Sequence, residues 1–229
     1  PVFVDSEETT GNIDIDQIEA NITSQTRALS VVHYLGLPVD MYKIMAIARK
    51  YGLFVVEDCA LAIGSYLDGT HAGLFGDVGC FSFYPVKHIT TAEGGMLLTN
   101  NGDVAEVVSQ QRAFGIDRNI VSERAVPGVY DVQRLGLNYR MNEISAALGI
   151  EQMKRVDGFL KTRQENYAAL QAGLQDIDDV DLLQSSHDGY HSSCYCLVMV
   201  LREPLASKRF EIVEYLKQQG VGTSVYYPR

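Results

Sequence analysis

Strand-length apolar runs alternate with segments of helical periodicity along much of the chain, and this alternation constrains the fold more than any other feature. Residues 28–33, 53–56 and 78–83 are apolar runs of strand length. Between the first two runs, Asp40 begins and Gly52 ends a segment with apolar residues at helical spacing. Parallel strands need crossover connections of this kind, so the pattern predicts an α/β fold built on a mainly parallel sheet.

Further elements are predicted on both sides of this region. Strands are predicted at 2–4 and 95–99, and helices at 14–22, 103–114 and 141–170, the last as one or two long helices. After residue 158 the character changes, with a strand at 193–201, a helix at 208–219 and a strand at 220–227. We therefore predict a large domain over residues 1–157, with its N-terminal part missing, and part of a smaller C-terminal α+β domain over residues 158–229.

The charge balance and the cysteines restrict the partners and the compartment. A net charge of -10 argues against nucleic acid or an anionic membrane as partner, because both need a basic surface. No apolar run approaches the ~20 residues of a membrane helix, and no signal peptide is visible. Cys59, Cys80, Cys194 and Cys196 lack the spacing of a zinc site or a disulfide framework. We expect reduced thiols, a cytoplasmic protein and no metal.

Both ends of the sequence run into apolar stretches, PVFVD at the start and SVYYPR at the end. Each stretch reads as a cut through folded structure. We therefore expect the chain to be an excerpt of a longer protein.

Three groups of polar side chains stand where predicted parallel strands end. His33 ends one strand, Asp58 follows another, and the segment from Ser82 to Lys87 leaves a third. Open parallel sheets bind their ligands at the carboxyl ends of the strands. We therefore expect the sheet to bring these side chains together.

Each of these residues has a functional and an ordinary interpretation. Lys87 follows an apolar strand between aromatic and small residues, where lost hydration favours a nucleophilic amine; a solvated loop lysine is the alternative. Asp58 can pair with a cationic ring nitrogen or cap the following turn. Ser82 and the nearby glycines can hold a phosphate or form common turns. Position alone favours the solvated loop for Lys87, does not decide for Asp58, and gives only a weak signal for a phosphate site at Ser82.

The order of several short motifs resembles the sugar aminotransferases of the DegT–StrS family, within the fold-type I enzymes that use pyridoxal phosphate (PLP). The likeness covers nearly the whole chain. Its motifs are PVFVD at 1–5, VVH at 31–33, VEDCA at 56–60, GDVGCFSFYPVK at 76–87, EGG at 93–95 and GLNYRMN at 136–142. Each motif is weak alone, but their shared order is specific.

The resemblance implies a fold and a set of roles. The fold is the three-layer large domain of fold-type I, with a mainly parallel sheet between helices. Lys87 is the Schiff-base lysine that binds PLP and later moves the substrate proton, and Asp58 pairs with the pyridine nitrogen. Ser82 binds the cofactor phosphate, and Asn138 reaches the phosphate of a neighbouring subunit in a homodimer. His33 lies near the cofactor in a role that the resemblance does not specify.

The implied reaction moves an amino group from an amino acid, glutamate in most of this family, to a nucleotide-linked keto-sugar, with pyridoxamine phosphate as intermediate. Leu61 departs from the family, which usually has Gln at that position. Residues 117–131, with Arg118, Arg124 and Tyr130, form either a substrate loop or a solvated surface loop. Two alternatives are a related dehydratase, which has His in place of the lysine, and a non-catalytic regulatory protein of the same fold.

Overall fold

The computed structural model of the chain describes residues 1–116 and 130–226. Its helices and strands follow in the order β1 (Ala28–Val32), α1 (Met41–Tyr51), β2 (Phe54–Asp58), β3 (Tyr66–Leu67), β4 (Thr70–His71), β5 (Val78–Ser82), β6 (Gly95–Leu98), α2 (Gly102–Gln111), α3 (Glu143–Met153), α4 (Val156–Leu174), β7 (Val180–Leu182), β8 (Ser186–His187), β9 (Tyr190–His191), β10 (Met199–Leu201) and α5 (Arg209–Gln218). Short 3-10 helices are also present, two of them at Ile15–Gln17 and Glu19–Asn21. The chain is therefore an α/β protein, as the sequence predicts.

The main sheet has four strands in the order β1-β2-β5-β6. The first three strands are parallel, and β6 is antiparallel to β5. The register sets Val32 opposite Asp58, and Asp58 opposite Cys80. The sheet is therefore mixed and mostly parallel, and the carboxyl ends of β1, β2 and β5 share one edge.

Helix α1 is the crossover between β1 and β2, and its ends follow the signals in the sequence. The Asp40 side chain accepts a hydrogen bond from Lys43 N, and Gly52 ends the helix in the left-handed conformation. Met41 and Ile44 are fully buried with Val55 of β2 in one apolar core cluster. Burial of such side chains stabilises the fold by about 1.5–3 kcal/mol each, which fixes the helix against the sheet.

The C-terminal third is joined to the main body by a small sheet. Strand β3 pairs with β9, with Tyr66 opposite His191, in the strand order β4-β3-β9-β8. A separate antiparallel pair joins β7 and β10. Helix α4 begins at Val156, so it spans the predicted division between residues 157 and 158. That division remains a prediction.

Several predicted elements differ in the structure. Residues 2–4 form no strand, because Val2 and Phe3 are exposed and pair with no neighbour among the described residues. The predicted strand at 193–201 is reduced to Met199–Leu201, and residues 220–226 form no strand, Tyr227 lying outside the described residues. The predicted helix at 14–22 is the two 3-10 helices. None of the helices in the described ranges is long and apolar enough to cross a membrane.

Candidate active site

One edge of the main sheet collects a carboxylate, a hydroxyl and an amine. Asp58 is the last residue of β2, and Ser82 is the last residue of the adjacent strand β5. Lys87 follows in the turn after β5, where its N–H donates to Tyr84 O at 3.0 Å. Asp58 lies opposite Cys80, so Ser82 is two residues further towards the same edge. The parallel register thus gathers side chains that are far apart in sequence.

Asp58 keeps part of its carboxylate available at this edge. Its side chain is half-buried, and Oδ1 accepts a hydrogen bond from Ala60 N at 2.9 Å. That bond is the turn-capping contact that the sequence allows. It uses one oxygen and leaves Oδ2 without a hydrogen bond among the described residues, so Asp58 can cap the turn and still pair with a cation.

The turn after β5 presents Ser82 and Lys87. Ser82 Oγ accepts from Tyr84 N at 3.4 Å, which leaves the hydroxyl proton for another acceptor. Thr90 Oγ1 donates to Phe83 O at 3.0 Å, closing the turn from its far side. Lys87 is half-buried, and its Nζ lies 5.8 Å from the centroid of the Tyr195 ring. The lysine is therefore neither a freely solvated side chain nor a core residue.

His33 lies beneath this edge in a fully buried hydrogen-bond network. Its Nε2 donates to Glu57 Oε2 at 2.9 Å, and its Nδ1 accepts from Val39 N at 3.0 Å. Both ring nitrogens are occupied, which requires the neutral imidazole with its proton on Nε2. The His33 backbone N–H donates to Asp58 O at 3.1 Å. We therefore propose that His33 holds the backbone of Asp58 in place, and its expected position near the cofactor stays a prediction.

Glu57 is the centre of that network, and sequence reasoning gave it no role. Its carboxylate is fully buried and also accepts hydrogen bonds from the N–H groups of Gly73, Phe75 and Gly76 at 2.7, 2.8 and 2.6 Å. Burial alone raises the pKa of a carboxyl. The bonds from His33 and these N–H groups outweigh it and hold the pKa of Glu57 below its usual value. Glu57 is thus a buried anion that fixes the loop before β5.

Three buried side chains of this network have the atom types of a metal site. Ligand-type atoms of His33, Glu57 and Cys59 lie within 4.8 Å of one another. The imidazole nitrogens and both Glu57 oxygens are already used in hydrogen bonds. Burial and the nearby carboxylates raise the pKa of the Cys59 thiol, which opposes the thiolate that a metal needs. We therefore interpret the cluster as part of the structural core.

Lys87 has a second set of neighbours from distant parts of the chain. His88 is buried, and its Nε2 donates to Ser193 O at 3.3 Å while Nδ1 has no partner among the described residues. Burial, with the positive charges of Arg163 and Lys87, lowers the pKa of His88 to about 4. Arg163 donates to Tyr195 O at 2.9 Å. Sequence reasoning missed Arg163 and Tyr195 because no local pattern joins them to Lys87.

The remaining residues singled out from the sequence lie elsewhere. Asn138 is exposed, and its Oδ1 accepts from Arg140 Nε at 3.3 Å. It has no contact with Asp58, Ser82 or Lys87 in the described part of the chain, so its reach to a neighbouring subunit stays a prediction. Residues 117–129 of the predicted substrate loop lie outside the described residues.

Two further residues can be placed. Leu61 is buried, and its carbonyl oxygen accepts from Ser193 Oγ at 2.7 Å. His71 is half-buried and accepts a hydrogen bond from Gly64 N at 2.9 Å. Neither residue adds a free polar group to the sheet edge.

The groups at the sheet edge fit PLP in kind. PLP has an aldehyde that joins an amine, a ring nitrogen that pairs with a carboxylate, and a phosphate that accepts hydrogen bonds. Lys87, Asp58 and Ser82 supply one partner for each of these groups, from two adjacent strands and the turn that follows the second. The donor set therefore matches the cofactor that the resemblance implies.

Comparison with known proteins agrees with this chemistry. The model of the DegT/DnrJ/EryC1/StrS aminotransferase family matches residues 1–229. GDP-perosamine synthase of Escherichia coli O157:H7 is 35% identical over 229 residues, covering 100% of this chain and 59% of that protein. Helicobacter pylori PseC, an aminotransferase involved in the biosynthesis of pseudoaminic acid, has a TM-score of 0.90 at 28% identity, covering 100% of this chain and 59% of that one.

A dehydratase is also similar in structure. Escherichia coli GDP-4-keto-6-deoxy-D-mannose-3-dehydratase, solved with bound hydrated PLP, has a TM-score of 0.85 at 29% identity, covering 96% of this chain and 58% of that one. The chain therefore spans less than two thirds of the length of each of these relatives.

Proposed function

The chain belongs to the DegT/DnrJ/EryC1/StrS aminotransferase family, and from this premise we propose that the full-length protein is a PLP-dependent sugar aminotransferase. It moves an amino group from an amino acid, expected to be glutamate, to a nucleotide-linked keto-sugar. The observation that carries the proposal is that Asp58 and Ser82 end adjacent parallel strands at one edge of the sheet, with Lys87 in the turn that follows Ser82. The similarity to GDP-perosamine synthase supports a nucleotide-linked substrate.

Each residue at the edge has a defined task. The Nζ atom of Lys87 holds the cofactor covalently in the resting enzyme. When free, the amine of Lys87 would take the proton from the donor's α-carbon and return a proton later in the cycle. The Asp58 carboxylate keeps a proton on the ring nitrogen, and the Ser82 hydroxyl donates to the phosphate. Bound PLP supplies the electron sink for the carbanion, and the protein supplies position and charge.

A homodimer with shared active sites is part of the proposal. Helix α3 is apolar on most of its surface, yet none of its residues is buried in the described chain. Ile144 is 85% exposed, and Leu135 and Tyr139, either side of Asn138, are 87% and 73% exposed. A soluble protein rarely leaves so many large apolar side chains in water. A second copy of the chain that covers this surface also brings Asn138 to the partner's site.

A keto-sugar dehydratase is the second candidate, because the dehydratase structure is nearly as similar as that of PseC. The resemblance places His in those enzymes where this chain has Lys87. A non-catalytic regulator of the same fold is the third reading, and Leu61 is the residue that favours it. The intact pair of Lys87 and Asp58 favours the aminotransferase over both.

A product assay separates these functions. The full-length protein is incubated with PLP, glutamate and nucleotide-linked 4-keto-6-deoxy-sugars, and the products are identified by mass. An aminotransferase yields an amino-sugar and 2-oxoglutarate in equal amounts, whereas a dehydratase yields a deoxygenated keto-sugar. We expect amino-sugar formation, its loss in Lys87→Ala, and a roughly hundredfold lower rate in Asp58→Asn. A dehydrated product, or turnover that survives Lys87→Ala, contradicts the proposal.

A further inference from the structure

An aromatic side chain from the C-terminal third lies against the Lys87 amine. Lys87 Nζ is 5.8 Å from the centroid of the Tyr195 ring, a distance at which an ammonium group is attracted to a ring face. Lys87 forms no salt bridge within residues 1–116 and 130–226. We propose that Tyr195 is a positioning residue for Lys87. The Tyr195 ring holds the Lys87 amine in place while that amine is not bonded to the cofactor.

The backbone around Tyr195 is firmly anchored. We name residues 192–196 the Tyr195 segment. It is hydrogen-bonded to residues 35, 36 and 61 of the main body. Ser193 is fully buried, and its Oγ donates to Leu61 O at 2.7 Å. Tyr195 N donates to Leu35 O at 3.3 Å. The ring therefore extends from a fixed backbone, which a positioning residue requires.

Two side chains fix the segment and its ring beside Lys87. Arg163 of α4 donates to Tyr195 O at 2.9 Å, and its guanidinium carbon lies 5.9 Å from the ring centroid. The His88 ring centroid lies 5.4 Å from that of Tyr195, and His88 donates to Ser193 O. Because His88 directly follows Lys87, this bond joins the Lys87 turn to the Tyr195 segment.

The proposed reaction gives this contact a purpose, and the inference rests on that reaction. Lys87 is free of the cofactor during part of each cycle, and a free lysine side chain has many rotamers. A ring that attracts the protonated side chain limits these rotamers, so the nitrogen already lies near its point of attack when the proton leaves and the neutral amine reacts. Leu61 contributes to this arrangement through its backbone carbonyl oxygen, a contact that does not depend on its side chain.

The test compares variants of the full-length protein in the rate at which Lys87 captures PLP. Capture by protein stripped of PLP is followed by visible absorbance, and the modified residue is confirmed by borohydride reduction and peptide mapping. Tyr195→Leu removes the ring, and Tyr195→Phe retains it. Tyr51→Leu is the matched control, because Lys50 Nζ lies 5.0 Å from the Tyr51 ring at the far end of α1.

We expect Tyr195→Leu to capture PLP about fivefold more slowly, Tyr195→Phe to match the wild type, and Tyr51→Leu to be unchanged. The same Tyr195→Leu change should lower kcat without raising KM for the sugar. Equal capture rates in all variants overturn the role of Tyr195 but not the proposed function. A Tyr195→Phe variant that is as slow as Tyr195→Leu has the same consequence. Failure of the wild type to bind PLP on Lys87 overturns the proposed function instead.

A measurement on the wild type covers the case in which Tyr195→Leu does not fold. In PLP-free protein labelled with [ε-13C]lysine, the Lys87 signal is identified by its loss in Lys87→Arg. We expect its ε-protons to be shifted upfield by the ring, and to stay so in Tyr195→Phe. A Lys87 signal among those of the exposed lysines contradicts the contact.

Discussion

At the scale of single residues, Glu57 and Asp58 are neighbours in sequence with opposite surroundings. Successive side chains of a strand point to opposite faces, so Glu57 is buried beneath the sheet edge while Asp58 stays half-exposed on it. The Glu57 carboxylate accepts one bond from His33 and three from the loop at 73–76. We interpret Glu57 as the anchor, which leaves Asp58 for the cofactor.

Glu57→Gln tests the anchoring role of Glu57 by its effect on stability and on the pH dependence of stability. The folded protein holds the pKa of Glu57 below its unfolded value. The stability that this group contributes is therefore fully present above the unfolded pKa and is lost as the pH falls through the folded pKa. We expect Glu57→Gln to lower the free energy of unfolding by roughly 2–4 kcal/mol at neutral pH. We also expect the free energy of unfolding to decrease less between neutral and acidic pH in this variant than in the wild type.

Urea unfolding at pH 7 and at pH 4 checks this prediction. Glu19→Gln is the control, because Glu19 forms an exposed ion pair with Lys50 and should change stability little. A Glu57→Gln variant as stable as the control at pH 7 contradicts the anchoring role.

At the scale of elements, local signals in the sequence predict part of the fold and long-range contacts determine the rest. The caps Asp40 and Gly52 and the apolar runs of β1, β2 and β5 are local, and the structure confirms those elements. The Tyr195 segment is not a strand. Its Ser193 N–H and hydroxyl donate hydrogen bonds to Ser65 Oγ and Leu61 O, which are 128 and 132 positions away, and not to a neighbouring strand. No periodicity in the sequence encodes such partners, so Arg163 and Tyr195 were not predicted near Lys87.

Gly36 shows how closely the Tyr195 segment approaches the body. Gly36 has φ +87, and a Cβ atom there would lie 1.9 Å from Ser193 Oγ. Gly52 has φ +64 but open space around it. We expect Gly52→Ala to cost about 1 kcal/mol from the left-handed backbone alone, and Gly36→Ala roughly 3 kcal/mol because overpacking is added.

Chemical unfolding of both variants measures this difference. Gly36→Ala should also displace the Tyr195 segment and so slow PLP capture, whereas Gly52→Ala should leave PLP capture unchanged. Equal stabilities for the two alanine variants contradict the close packing of the segment.

At the scale of the whole molecule, the apolar surface of α3 is the feature that the described chain leaves unexplained. Its large apolar side chains Ile144, Leu148 and Met153 are 85%, 41% and 55% exposed. The apolar residues of α3 can be recognised in the sequence, but no local sequence pattern identifies the surface that covers them.

Ile144→Glu tests the proposed dimer. A buried, unpaired carboxylate at the interface is costly, so we expect the dimer dissociation constant to rise at least about tenfold. Phe210→Glu on α5, also exposed, is the control and should leave assembly unchanged. Sedimentation velocity of the full-length protein measures both, and an unaltered dimer in Ile144→Glu contradicts this use of α3.

The measurement that tests the central claim most directly is borohydride trapping of PLP on the full-length protein, followed by peptide mass mapping. The proposed site predicts a pyridoxyl group on Lys87, at the edge where Asp58 and Ser82 end adjacent strands. A pyridoxyl group on another lysine, or none in a folded protein, contradicts the aminotransferase mechanism.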